Sequence, residues 1–402
     1  MANIIDYVIW RGDLPFYKSK INEIDKIIFT RFAYLPFKEI EMDETETIAS
    51  LMVKFENVDE SKFIWSEDVR LIKLLGTSTR FKDIVVSDYE EIVDISLEKQ
   101  FAAITLWILK NEKFISFRGT DTSVVGWKED LNMTYKSNIP SQIEGVNYLN
   151  KVGKKYINSD LIIGGHSKGW NISIYASIFA DDLVRLNIKE IISADGPGFS
   201  TNILNDPRFE EIKHKIKTYM PQLSIVGRIL DYTRDRTVVK SNAKVFMQHD
   251  MYSWEVNPLS FVQVEDITKE SNMISILFRD IVEKTNPEDR EKFINIIYEI
   301  LVDSNINSFD NLPKNILSNA NRVLTTYKNI SEEDKLQVEN MISQIKKFVT
   351  DIIKEDIKEQ NRIKEEQKEL QKQEKLRIKQ EKKAMKEIEK QLEKENKKKK
   401  RE

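Results

Sequence analysis

Residues 161–173 read LIIGGHSKGWNIS: an apolar run, two glycines, Ser167 between His166 and Lys168, then Gly169 and Trp170. The continuous apolar run predicts a strand buried on both faces. The stretch KGWNISIYASIFADDLV that follows, residues 168–184, predicts a helix. Gly165-His166-Ser167-Lys168-Gly169 between them fits Gly-x-Ser-x-Gly, and a strand turning through the serine into a helix is the context that a nucleophile elbow requires. In so tight a turn, a side chain two residues before or after the serine would collide. Glycine at both places (Gly165 and Gly169) lets Ser167 take a strained conformation with its hydroxyl exposed above the sheet. The helix behind it aims free N–H groups and the positive end of its dipole at the same point. Ser167 is the candidate nucleophile.

Working outward, helical patterns at 21–35 and 66–78 precede three short β-rich runs at 82–89, 100–110 and 113–119. A helix pattern at 140–157 leads to the strand before Ser167. After the elbow helix come IKEIISAD (188–195), a helix near 207–215, the strand KIKTYM (215–220) and the run TVVKSNAKVFMQHD (237–250). Strands alternating with helices predict an α/β domain with a mostly parallel sheet over residues 1–258.

A serine hydroxyl needs a base, and the chain has 3 histidines. His166 adjoins the nucleophile, so its side chain is expected to point the other way and pack. His214 sits in the charged run EEIKHKIK and reads as a surface residue. His249, in KVFMQHDMYSW, is read as following an apolar strand and comes after Ser167, in the order of α/β-hydrolase triads. Asp195 ends an apolar strand and opens Gly-Pro-Gly, at the strand end where catalytic groups of open α/β sheets gather. Asp231 and Asp250 are rival acids, Asp250 disfavoured because neighbours in an extended segment face opposite ways. The oxyanion of an acyl-transfer intermediate needs donors. The backbone N–H of Lys168 is one, and Thr120, at the end of the strand FISFRG, offers a backbone N–H and a hydroxyl.

The ordered set FRGTD…GWKED (117–130), GHSKG-N (165–171), DGPGF (195–199) and QHD…W (248–254), with PQLSIVG (221–227) and FTRFAYLPF (29–37), resembles a bacterial lipase-like family related to class 3 (fungal-type) lipases. The resemblance covers about residues 1–258. It implies an α/β-hydrolase fold, a Ser167 nucleophile, a His249 base and an oxyanion donor at Thr120. Two departures stand out. Class 3 lipases usually carry their acid in a stretch like Asp-Ile-Val-Pro, where this chain has Ser224-Ile225-Val226-Gly227, so the weight falls on Asp195, one strand earlier. Trp170 stands where the family pattern has a second glycine, which leads us to expect strain or local repacking at the elbow.

The 402-residue chain has no cysteine, which excludes disulfides and thiolate metal sites and fits a reducing, cytoplasmic compartment. The N-terminus has no basic start followed by an apolar run, and no window approaches a membrane span. Residues 259–353 read as an accessory helical region. Residues 354–402 carry 19 Lys/Arg and 13 Asp/Glu, with neither glycine nor proline. They predict a long charged helix, or a weak coiled coil, able to bind a protein partner or a second copy. Acidic residues interleaved with the basic ones argue against nucleic acid. The function expected is a serine hydrolase of carboxylic esters or thioesters, on a lipid or other acylated small molecule, with no cofactor and no metal. The alternative is a catalytically impaired hydrolase-like scaffold working through its helical C-terminal region, and Trp170 and Ser224 are the features that favour it.

Overall fold

One eight-stranded sheet carries the site, and its strand order follows the chain. The strands are β1 Thr45–Thr47, β2 Val85–Asp94, β3 Lys99–Leu109, β4 Glu112–Phe117, β5 Asp160–His166, β6 Ile188–Ala194, β7 Ile216–Pro221 and β8 Thr237–Val239. The structure is a computed structural model describing residues 2–121, 123–230, 236–303, 320–347, 350, 351 and 354. The chain divides into two units, Met1–Ser343 and Gln344–Glu402, and every element named below lies in the first.

β1 to β4 pair antiparallel, with short turns joining β2 to β3 and β3 to β4 and the helices Ile48–Phe55 and Glu67–Thr77 between β1 and β2, and β4 to β8 pair parallel. Parallel neighbours need crossovers long enough to hold a helix. β4 reaches β5 through two helices, Val124–Asn132 and Pro140–Lys155, and β5 reaches β6 through a third, Lys168–Phe179, and a short one, Asp182–Asn187. Side chains along each strand alternate between two cores, as a period of two dictates. Phe114 and Ile162 join a cluster with Ile27, Phe29, Phe32 and Leu71 of the N-terminal helices. Ile115, Phe117, Leu161 and Ile163 join the opposite cluster, with Tyr148, Ile172 and Ile178. Burial on both faces is why these strands read as unbroken apolar runs.

Two sequence readings are corrected. The helix expected over 168–184 stops at Phe179 and a separate helix covers Asp182–Asn187, because the backbone leaves the helical region at Ala180 and Asp181, with ψ 154° and 144°. The run 237–250 holds only the three residues of β8. His249 ends a 3-10 turn, Val245–His249, instead of following a strand. Polar groups end the pairing there: Ser241 exchanges bonds with the Gln222 side chain, its N–H donating to Gln222 Oε1 at 2.7 Å. Residues beyond 258 still join the sheet's edge, Val264 N–H donating to the Val238 carbonyl at 3.0 Å. Helices Lys269–Lys284, Pro287–Asp303 and Ala320–Asn329 follow. The expected charged helix over 354–402 lies, after Lys354, outside the described residues. No helix among the described residues is long and apolar enough to cross a membrane.

The N-terminal layer is locked by buried ion pairs. Arg31, in the helix Glu23–Phe32, donates from Nε to Asp68 Oδ1 at 2.6 Å and pairs through Nη2 with Asp68 Oδ2; both side chains are buried. Tyr252 donates to the same Asp68 Oδ1 at 2.6 Å. The guanidinium lies 3.8 Å from the centre of the Trp65 ring. Removing one member of such a pair leaves a charge stranded away from water. Arg31→Met should therefore destabilise the protein by about 3–5 kcal/mol in denaturant unfolding, and Arg31→Met/Asp68→Asn should lose less than the single variant.

Candidate active site

β5 ends at His166, and Ser167 follows with φ 58° and ψ −133°, a backbone region that non-glycine residues rarely enter. The register fixes this corner: His166 pairs with Ala194 of β6, and Ser167 N–H donates to the Ala194 carbonyl at 3.0 Å. A Cβ on Gly165 would lie 2.2 Å from the carbonyl carbon of Gly169 and one on Gly169 would lie 2.1 Å from the Phe117 carbonyl oxygen. Both glycines are thus required by backbone, which cannot move aside as a side chain could. Lys168 opens the helix Lys168–Phe179, so its N–H has no partner inside that helix.

Trp170 lies in the first turn of the helix that follows the corner. Its indole is buried and packs over Gly196, where a Cβ would sit 1.9 Å from the indole Cδ1 and 2.3 Å from the Ser167 carbonyl oxygen. The missing side chain at Gly196 makes the room that the missing second glycine of the motif would otherwise have made. Of the two outcomes expected at Trp170, the structure shows local repacking, in the form of that indole-on-glycine contact.

Asp195 follows β6 with φ 44°, fully buried. Its Oδ2 lies 2.7 Å from His249 Nδ1, and its Oδ1 accepts a hydrogen bond from the Ser224 hydroxyl. A Cβ on Gly227 would lie 2.5 Å from Asp195 Oδ1, so glycine there leaves room for the pair. Ser224, at the place where the resemblance leads one to look for the acid, bonds instead to the Asp195 carboxylate from the loop after β7. Asp250 accepts from the Tyr252 N–H at 3.0 Å and caps the turn Met251–Ser253; Asp231 lies outside the described residues. His214 is exposed in a 3-10 turn. His166 is not turned away from the site as expected. Its ring lies on that of His249, centroids 4.3 Å apart, and its Nε2 is 2.9 Å from the His249 carbonyl oxygen. Burial, reinforced by the neighbouring His249, holds the His166 pKa well below the ordinary histidine value, so this ring stays neutral.

Ser167, Lys168, Thr120, His166 and His249 border one cavity of about 330 Å³. Its apolar wall includes Trp65, Trp127, Leu131, Met133, Ile229 and Phe278. Trp65 comes from the N-terminal segment and Phe278 from the helix Lys269–Lys284, and neither carries a motif that would single it out in sequence. Thr120 differs from expectation in one respect: its hydroxyl donates to Asp130 Oδ2 at 2.6 Å and is committed there, which leaves its backbone N–H as the donor available to a ligand. Asp130 was legible only as part of GWKED. Burial raises its pKa to about 6 against the pull of Lys168 and of the Thr120 hydroxyl. The Lys168 side chain runs away from the cavity's apolar wall to Glu129 Oε2 at 2.8 Å and Gln100 Oε1 at 2.9 Å, clamping the start of its helix to β3. No cluster of His, Asp and Glu suited to a metal ion occurs among the described residues.

A family model described as Mbeg1-like matches residues 75–299, more than half of the chain. The chain belongs to the Mbeg1-like family. The matched span contains the elbow, Asp195, Thr120 and His249, while Tyr34 and Trp65 precede it. Among solved structures, the crystal structure of M37 lipase is similar to 52% of this chain and 70% of its own, at 15% identity and a TM-score of 0.33. Curated proteins give no match.

Two expectations follow for this family member. Gly196→Ala should lower stability by about 1–3 kcal/mol or more, as overpacking does; adding Trp170→Gly should restore only part, because the Ser167 carbonyl still obstructs the new methyl group. A raised Asp130 pKa means that the folded protein holds a proton between about pH 4 and about pH 6 which the unfolded chain has released. That component of stability falls as pH rises through the window, and Asp130→Asn should flatten the pH dependence of the denaturant midpoint there.

Proposed function

We propose that the chain is a serine hydrolase with an α/β-hydrolase fold that cleaves carboxylic esters or thioesters of a lipid or other acylated small molecule. The observation that carries this reading is the 2.7 Å contact between Asp195 and His249 Nδ1, beside a serine held at an elbow on the same apolar cavity. With Asp195 accepting a hydrogen bond from Nδ1–H, His249 presents an unprotonated Nε2 as the base. Ser167 Oγ attacks the carbonyl carbon and gives its proton to Nε2. The N–H groups of Thr120 and Lys168 hold the oxyanion of the tetrahedral intermediate. Collapse expels the alcohol or thiol, which takes the proton back from His249. Water, deprotonated by the same nitrogen, then attacks the acyl-enzyme and releases the acid and the free serine. The apolar wall suits the hydrocarbon part of an acyl group, which gains on leaving water. Each step uses side chains and backbone of this chain, with no metal.

The scaffold alternative drew on Trp170 and Ser224. Trp170 is seated on Gly196 and Ser224 bonds to Asp195, so neither feature now favours it.

A fluorophosphonate probe tests the proposal directly. The folded wild type should be labelled and should hydrolyse p-nitrophenyl esters of medium-chain acids. Ser167→Ala should abolish both signals, and Asp195→Asn should lower kcat by roughly 10³–10⁴-fold with the fold intact. Absence of labelling in a well-folded wild type would falsify the enzyme reading.

A further inference from the structure

Tyr34 stands outside residues 75–299, yet its hydroxyl meets three groups of the site. We propose that Tyr34 is a positioning residue for this site, holding the oxyanion loop against the nucleophile elbow and, through His166, linking both to the loop that carries His249. This inference rests on the serine-hydrolase reading above.

The hydrogen-bond directions follow from which atoms can donate. The His249 carbonyl oxygen only accepts, so His166 Nε2, 2.9 Å away, carries the proton. His166 is neutral, and Nδ1 is therefore an acceptor. The Tyr34 hydroxyl, 3.0 Å from Nδ1, donates to it, with the His166 carbonyl oxygen at 3.2 Å as a second acceptor. The lone pairs of Tyr34 Oη then accept the Gly119 N–H at 3.1 Å. The chain runs in one direction: Gly119 N–H to Tyr34, Tyr34 O–H to His166, His166 N–H to the His249 carbonyl. Every member is satisfied, and a buried polar network is rigid when that is so.

Geometry around Tyr34 fixes its ring. It is buried, stands edge-on to Trp65 with centroids 5.5 Å apart, and lies 4.7 Å from the Arg31 guanidinium. Close approach also depends on Gly119, where a Cβ would fall 2.2 Å from Tyr34 Oη and 2.5 Å from the His166 carbonyl oxygen. Gly119 immediately precedes Thr120, whose N–H is the proposed oxyanion donor. A hydroxyl that grips the Gly119 N–H, at a glycine also enclosed by the His166 carbonyl and the Ser167 side chain, thus anchors the residue from which the Thr120 N–H extends. The donor acts on charge that develops only in the transition state, so a loosened loop should lower kcat and leave ground-state binding alone.

The test compares Tyr34→Phe with Tyr148→Phe. Tyr148 is also a buried tyrosine with a bonded hydroxyl, donating to the Asp88 carbonyl at 2.6 Å in the opposite core. Both variants should lose thermal stability. Tyr34→Phe should also lower kcat by roughly 10–100-fold with KM within about twofold, whereas Tyr148→Phe should keep wild-type kcat. Imidazole ¹⁵N NMR supplies a readout independent of turnover: His166 should be the neutral Nε2–H tautomer, with an Nδ1 shift that moves in Tyr34→Phe and stays put in Tyr148→Phe. An active, probe-labelled wild type whose Tyr34→Phe variant keeps its kcat, or an unmoved Nδ1 signal, overturns the positioning role alone. Turnover that survives Ser167→Ala overturns the hydrolase reading, and the catalytic part of this inference with it.

Discussion

A lack of space at one corner organises this molecule. The turn at Ser167 brings the helix Lys168–Phe179 so close to β4 that a single methyl group on Gly169 would collide with the Phe117 carbonyl. β4, β5 and the helix are thereby locked to one another through backbone. The strain in Ser167's own dihedral angles persists because the Ala194 carbonyl, the elbow glycines and the helix behind it all over-determine that conformation. The loop that carries Thr120 leaves β4 one residue later, and Asp195 leaves β6 one residue after the Ala194 that pairs with His166. Strand ends held in register thus deliver groups far apart in sequence to a single cavity.

The two departures from the lipase-like pattern have a shared logic. Each is a side chain that finds a specific partner in this chain. An indole fills the space beside the elbow because residue 196 has no side chain, and a serine on the loop after β7 bonds to an acid placed after β6. A short polar side chain at 224 and a glycine at 227 leave the Asp195 carboxyl fully buried with a partner on each oxygen. Close packing makes these positions interdependent: a side chain at 196 would collide with the indole, and loss of the Ser224 hydroxyl would take a partner from a buried carboxylate oxygen.

Much of this was legible in local pattern. The alternation of strands with helices, the glycines around Ser167 and the placement of Asp195 at a strand end each follow from steric and periodic rules acting over a few residues. The direction of the His166 ring was misread, because adjacency in sequence suggested divergence, and nothing local reveals that a carbonyl from residue 249 would accept its Nε2 proton. His249 itself was assigned to the end of a strand that the Gln222–Ser241 exchange cuts short. The commitment of the Thr120 hydroxyl to Asp130, and the roles of Tyr34 and Trp65, depended on partners many residues away.

By itself the sequence pointed to an elbow: an apolar run, a serine between two glycines and a helix pattern allow a tight strand-to-helix turn at Ser167, whereas the Phe117 and Ala194 carbonyls that enforce it come from other strands. Tertiary structure decided which histidine ring stacks on which, which carboxylate reaches His249, and what walls the cavity. Those contacts join positions 34, 65, 119, 166, 195, 224, 249 and 278, and no local rule relates residues so far apart. Only packing both faces of one sheet, with a buried ion pair seating Trp65 above it, brings them within hydrogen-bond and van der Waals reach.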